Sequence, residues 1–474
     1  MKRCVSAALC ACLAAFLGLA AQASAATAGA AGIGDKYFPK AGNGGYDVKH
    51  YDVAMTIQPG TNTVDAKVTI KMRALKELSS FDLDFRGPDI SSLTVDGEEA
   101  NFERHGQELR ITPPQNVRVE AHELKIAYSG TPPSVTDPDG STEGWVATPD
   151  GSAALGEPQG TPAWLPCNNH PTDKATYRFE LTVPSTHVAV ANGKLVSQES
   201  APPDTTFTWR QGEPMASYLA TVDVGLFDLE ETTYAGIPAW NAVDPAVLGA
   251  TDLSPMEDIL SFESDTFGPY PWKATGGIVD PNPALGYSLE TQTRPYYPIP
   301  PSEGLMVHEL AHQWFGDSVS VHRWKHIWLN EGFATFAEWL WDEHDGGATT
   351  KQTFDDYYAT DESDHDFWNP PPGNPGDGAH IFDGTVYTRG AMTLEVLRER
   401  VGDGDFFKIL RRWVKRYGGG DASSHQFIAL AQKVSGEHVR GLLRTWLFKP
   451  GKPAHGGGKT GASAAPSAAL PALR

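Results

Sequence analysis

Cysteine is scarce in this chain, and most of it lies at the start. The 474 residues hold four, and Cys4, Cys10 and Cys12 fall within the first 25. Lys2 and Arg3 precede an apolar run over 5–21, followed by Ala23-Ser24-Ala25, which is the pattern of a secretory signal cleaved after Ala25. Loss of residues 1–25 leaves Cys167 alone, which excludes an internal disulfide even in an oxidising compartment. Basic residues are also few, with 38 Lys and Arg against 59 Asp and Glu and a formal net charge of -21. No basic stripe is available to neutralise phosphates, so no nucleic-acid partner is expected. Past the first 25 residues no run of 18 apolar residues occurs, which argues against stable membrane insertion and for a secreted or periplasmic protein. Repeats at solenoid periods are missing as well. Oligomeric state leaves no signature.

What is present divides the chain. From residue 46 to about 228 the dominant period is two. Val64, Ala66, Val68, Ile70 and Met72 alternate with Asp65, Lys67, Thr69, Lys71 and Arg73, as in a strand with one buried face. Further strands are expected at 81–85, 93–95, 108–112, 124–128, 177–183, 187–191, 207–210 and 219–224, punctuated by turn pairs such as Asp96-Gly97 and Asn192-Gly193. Beyond about 238 helical signals take over, at 255–267, 303–315, 327–344, 390–401, 405–417 and 424–435. The expectation is an α+β multidomain chain: an all-β sandwich or saddle-like domain over 26–237, then a mainly helical domain over 238–450. The acidic, proline-rich run 361–378 reads as loop and 451–474 as a flexible low-complexity tail.

The chemistry is concentrated in HELAHQWFGDSVSVHRWKHIWLNE at 308–331. His308 and His312 are four apart and project from one helical face, with Glu309 on the same turn. Glu331, on a second helix, adds a carboxylate. Two histidines, one carboxylate and an open fourth position make a catalytic zinc arrangement, one ion per chain. Zinc acidifies water, and Glu309 is placed to take the proton and pass it to a departing amine. Thr335, one turn after Glu331, is a candidate for supporting the ligands by a hydrogen bond. His322 and His326 match no ligand pattern.

HELAH at 308–312 together with the glutamate of WLNEGFA resembles the aminopeptidase N family of gluzincin zinc peptidases. GYDVKHYDV at 45–53 is similar to the opening strand of that family's β-domain, LPCNNHPTDKATY at 165–177 to its FPCxDxPxxKAxF segment, and TFGPYPW at 266–272 to the entry into its catalytic domain. VYTRGAMTLEVLRERVG at 386–402 resembles its YxKGA helix. The resemblance covers about 45–450 and implies a saddle-like β-domain followed by a thermolysin-like catalytic domain. It also implies removal of single residues from peptides with a free N-terminus. Tyr387 then matches the tyrosine that stabilises the oxyanion, and Glu290 in GYSLETQ matches the glutamate of the GAMEN motif that grips the α-amino group. Tyr287, Leu289 and Thr291 depart from GAMEN. Glu157 aligns with an acidic or amide position at that family's first specificity pocket, a candidate second contact to the amine or else a β-turn carboxylate. Longer members carry a large helical C-terminal domain, so a more open site is expected here. Two alternatives stay open on the residues alone: a thermolysin-type endopeptidase, and a non-catalytic peptide-binding relative.

Overall fold

The computed structural model describes residues 26–456; the expected signal at 1–25 and the expected tail from 457 onward lie outside the described residues. Seven strands make up most of the largest sheet of the first half: β1 (Tyr46–Gln58), β2 (Thr63–Ala74), β3 (Asp89–Val95), β4 (Ala121–Gly130), β5 (Lys174–Pro184), β6 (Lys194–Ala201) and β7 (Asp204–Ala216). They join Glu98–Glu99 in an eight-stranded sheet of order β6-β7-β5-β1-β2-β4-β3, with Glu98–Glu99 at the far edge. The alternating residues of β2 bury Val64, Ala66, Val68, Ile70 and Met72, so the period of two sets which face enters the core. Register places Val53 opposite Val68 across the antiparallel β1–β2 pair and beside Phe179 across the parallel β1–β5 pair. A second, five-stranded sheet runs Ser134–Thr136, Thr142–Ala147, Ser152–Leu155, Val222–Gly225 and Val188–Ala191, and the second half of the chain meets it where Tyr287 donates to the Thr142 carbonyl and Asn282 to that of Ala147.

The expected change at 238 falls inside a hairpin. Asp228–Tyr234 pairs antiparallel with Ile237–Val243, and the latter continues in parallel to Ile278–Val279 and Tyr296–Tyr297. One sheet therefore holds strands from both sides of that boundary. Helices follow: α1 (Met256–Phe267), α2 (Glu303–Ala311), α3 (Trp328–His344), α4 (Thr350–Tyr358), α5 (His365–Trp368), α6 (Gly384–Val401), α7 (Asp403–Tyr417), α8 (Ser424–Ser435) and α9 (Arg440–Phe448). An all-β half followed by a mainly helical half is what the sequence led one to expect.

Several expectations are corrected. α2 ends at Ala311 rather than 315, because Gly316 turns the chain at φ 131°. A Cβ there would lie 3.1 Å from the Asn330 side chain, so this turn needs glycine to bring the end of α2 against the start of α3. The 361–378 run is not all loop. Asp364 accepts from Phe367 N–H and caps the single turn of α5, which buries Trp368. Residues 451–456 are docked rather than free: Tyr358 donates to the Pro453 carbonyl, and His455 meets Glu399 at 2.8 Å. α4 and α9 were not anticipated. α4 nonetheless carries a legible start, since Thr349 and Gln352 form a capping box. Cys167 is buried and free. Among the described residues no helix is long and apolar enough to cross a membrane.

Candidate active site

Ser302 opens α2 by accepting from Leu305 N–H, and the helix delivers His308, Glu309 and then His312, its C-cap, to one cavity. α3 brings Glu331 from its first turn. Glu331 Oε2 lies 3.4 Å from His308 Nε2 and 3.3 Å from His312 Nε2. The opposite ring nitrogens are occupied: His308 Nδ1 is 2.6 Å from Glu338 Oε1, and His312 Nδ1 donates to the Phe315 carbonyl at 3.1 Å. Both imidazoles are thereby oriented with Nε2 towards Glu331. Glu338 was missed from sequence. Its spacing from Glu331, seven residues along one helix, was the available signal, and Thr335 does not take that role.

α6 adds Tyr387 through a close helix crossing. A Cβ on Gly332 would lie 2.8 Å from Gly390 Cα, so α3 and α6 touch backbone to backbone. Tyr387, one turn before Gly390, consequently stacks on His308 with ring centroids 6.0 Å apart. Arg389 anchors the same helix, donating to the carbonyls of Trp368, Trp446 and Lys449.

Glu290 reaches the cavity on a stretch with little regular structure, fixed from both sides. Gln313 Nε2 donates to the Glu290 carbonyl at 3.2 Å, and Gln313 Oε1 accepts from Thr293 N–H at 2.8 Å. From the β-half, Asn192 donates to the Gln292 carbonyl and Gly193 N–H to Thr293 Oγ1, each at 2.8 Å. The buried Arg294 guanidinium donates to the carbonyls of Ala191, Gly193 and Trp240 and lies over the Trp209 ring at 4.5 Å. The Asn192-Gly193 turn, a strand separator in the sequence, is thus part of the support for Glu290. Glu157 enters from the loop after Ser152–Leu155, and Tyr287 donates to the Thr142 carbonyl at 2.7 Å.

All seven candidate residues, Glu157, Glu290, His308, Glu309, His312, Glu331 and Tyr387, line one cavity of about 600 Å³. Ligand atoms of His308, His312 and Glu331 lie within 4.8 Å of one another, and so do those of Glu157, Glu290 and Glu331. His322 and His326 are elsewhere: His322 is half-exposed beside Asp421, and His326 is buried against Ser424.

The cavity lining contains no lysine or arginine. Burial raises Glu157 well above the ordinary carboxylate range, with Glu290 and Glu331 adding to it, and burial likewise raises Glu290 against the pull of His312. Glu309 is pushed up to about 8 by burial, with Glu290 and Glu331 adding and the two histidines opposing. Burial also works on Glu331, but His312 and His308 outweigh it and hold that carboxylate at about 2. His312 in turn is held at about 9 because Glu290 and Glu331 overcome its burial. Tyr387 is raised well above its usual value by burial and then by Glu331, which keeps its hydroxyl protonated.

The donor set fits zinc. Oxygen and nitrogen donors around a tetrahedral ion at about 2.0–2.1 Å stand roughly 3.3–3.4 Å apart, the separation seen between Glu331 and each histidine. The surplus of buried carboxylates is a site made for cations.

Comparison with known proteins shows the family. Residues 301–446 match the peptidase family M1 domain, and 47–219 match the peptidase M1 N-terminal domain. A crystal structure of an M1 zinc metallopeptidase from Deinococcus radiodurans superposes with a TM-score of 0.84 at 32% identity, covering 91% of this chain and 100% of that one. A variant of that enzyme bound to a Tyr-Ser-Ala substrate gives 0.82 at 31% identity, over 90% and 100% of the two chains. Aminopeptidase M1-D of Oryza sativa subsp. japonica is 29% identical over 321 residues, 62% of this chain and 36% of the relative. Glutamyl aminopeptidase of Sus scrofa is 26% identical over 333 residues, 63% and 34% respectively. The match thus spans about a third of the length of these curated relatives.

Proposed function

The chain belongs to peptidase family M1, a family of zinc metallopeptidases, and from that premise we propose that it is an exported aminopeptidase releasing single residues from the free N-termini of peptides. The observation that carries this reading is the carboxylate cluster of Glu157, Glu290 and Glu331, within 4.8 Å of one another at the metal-ligand end of the cavity. Glu157 Oε1 and Glu290 Oε1 are buried without a hydrogen-bond partner. Two such oxygens beside the metal ligands receive an ammonium group and leave room for one residue between it and the reacting carbonyl. An endopeptidase has no use for them.

His308, His312 and Glu331 would hold the zinc ion, which would supply Lewis acidity towards the scissile carbonyl and water. Glu309 takes the proton of the attacking water and returns it to the departing amine, a role suited by a buried carboxyl that burial makes more basic than an ordinary carboxylate. Tyr387 stays protonated and donates to the oxygen that gains charge. Glu338 and the Phe315 carbonyl fix the histidine rings, so the ligands need no reorganisation. The leader at 1–25 supports export, to a secreted or periplasmic destination.

A panel of unblocked amino-acyl fluorogenic amides, run before chelation, after it and after zinc is restored, tests the proposal. Hydrolysis should vanish with chelator and return with zinc. Activity unaffected by removal of the metal would end this reading.

A further inference from the structure

Outside the active-site cavity, the described residues contain one more cluster able to hold a metal ion, formed by Asp150, Asp244 and Asp280, with one oxygen from each within 4.8 Å of the others. It lies at the seam between the two halves. Asp150 sits in the turn between Thr142–Ala147 and Ser152–Leu155, while Asp244 and Asp280 directly follow the adjacent parallel strands Ile237–Val243 and Ile278–Val279. The Asp244 N–H donates to the Val279 carbonyl at 2.9 Å, which holds the two strand ends side by side.

Three carboxylates here lack the neutralisation that a buried cluster needs. Asp280 is wholly buried, and neither of its oxygens has a hydrogen-bond partner. Asp150 Oδ1 and the Thr148 hydroxyl are also buried without partners. Each of the other two carboxylates has one oxygen engaged by backbone, Asp150 Oδ2 by Leu226 N–H at 2.9 Å and Asp244 Oδ1 by Ala246 N–H at 2.6 Å. Those bonds orient the free oxygens inward. Burial pushes Asp280 up to about 7, Asp150 and Asp244 push the same way, and only the nearby Thr148 hydroxyl opposes them.

We propose that Asp150, Asp244 and Asp280 bind a hard divalent cation, calcium, that clamps the β-half to the sheet leading into the Glu290 segment. Calcium takes oxygen donors at about 2.3–2.6 Å, so ligands on opposite sides of the ion stand about 4.6–5.2 Å apart, and three oxygens within 4.8 Å fit around it. Magnesium usually keeps several waters and uses one or two carboxylates. The all-oxygen set, with no imidazole or thiolate, does not suit a transition metal. Thr148 Oγ1 and water complete the shell. From Asp280 the chain passes Asn282, whose N–H donates to the Pro298 carbonyl at 2.9 Å, and continues to Glu290, so an ion here steadies the base of the amine-binding segment.

The zinc-loaded protein is compared with its Asp280→Asn and Asp150→Asn variants by thermal melting with and without added calcium, and by tyrosine-sensitised terbium luminescence. Tyr296, whose hydroxyl donates to the Asp280 carbonyl at 3.2 Å, is the antenna. Calcium about a hundredfold above its dissociation constant should raise the melting temperature by about 3 °C and displace one bound terbium. Both variants should lose the shift and bind terbium at least about tenfold more weakly. In calcium-free buffer Asp280→Asn should melt no lower than the parent, because it removes a buried like charge. No calcium shift in the parent, a full shift in both variants, or a calcium-free Asp280→Asn protein that melts several degrees below the parent would overturn the proposal.

Discussion

His308 and His312 reach the cavity from one turn of α2 and Glu331 from the first turn of α3, whereas Glu290 arrives on a nearly structureless stretch held by Gln313, Asn192, Gly193 and Arg294. His308 and His312 are neighbours through the 3.6-residue helical period, the Phe315 carbonyl lies three residues beyond His312, and Glu338 stands two turns after Glu331 on α3. The segment carrying Glu290 depends, besides Gln313, on hydrogen bonds that span 100 positions of the chain, from Asn192 to Gln292 and from Gly193 to Thr293. One half of the site is built by secondary structure and the other by docking of two domains. Substitutions should therefore separate cleanly into those that stop chemistry and those that blur recognition.

The largest effect is expected on the helical side. Glu309→Gln should lower turnover by about 10²–10⁴-fold while metal analysis still finds one zinc per chain, because Glu309 is not a ligand. Tyr387→Phe should reduce kcat by about 100-fold or more with KM nearly unchanged, the mark of a donor used only in the transition state. On the docked side, Glu290→Gln should cost about 10–100-fold in kcat/KM for free-amine substrates and leave zinc content intact, since a charge-assisted hydrogen bond is lost. Equal losses on blocked and unblocked substrates would erase the distinction between the two sides.

Zinc uptake should depend on pH through the histidines of the helical side, whose pKa Glu290 of the docked side helps to raise. His312 stands at about 9 in the folded site, above its ordinary 6.5, and must lose its proton to bind metal. Apparent zinc affinity should rise roughly tenfold per pH unit for each proton released between pH 7 and 9, then level off. The sign for stability is opposite in the zinc-free protein: the raised pKa stabilises the fold fully below about 6.5, and this contribution is lost as pH climbs through 9. Calorimetric titration in buffers of differing ionisation heat reads the proton count. The smallest effect belongs to Arg294→Lys, which cannot reach all three carbonyls at once and should lower the melting temperature by about 2–4 °C without changing zinc content.

The same contrast explains what was legible beforehand. The spacing of His308, Glu309 and His312 and the period-two strands such as β2 are local patterns, and local patterns survive into sequence. Tyr387 and Glu290 were reached only through a family resemblance, because an aromatic near a helix start and a glutamate in a loop carry no period. Glu338 sat at a readable spacing and was overlooked. Arg294, Asn192 and Asp280 were silent because their partners lie far along the chain, and only the folded molecule brings those partners together. The early end of α2 was equally hidden, since it follows from Gly316 meeting Asn330 across the start of another helix.

The central claim is that the cavity measures one residue from a free amino end. The direct test is to follow hydrolysis of an unblocked tripeptide and its N-acetylated twin by product analysis, for the parent and for Glu290→Gln. The account predicts release of the first residue alone from the unblocked peptide, at least about 100-fold faster than any cleavage of the blocked one, and a much smaller gap in the variant. Equal cleavage of both peptides by the parent, or cleavage at an internal bond, would contradict it.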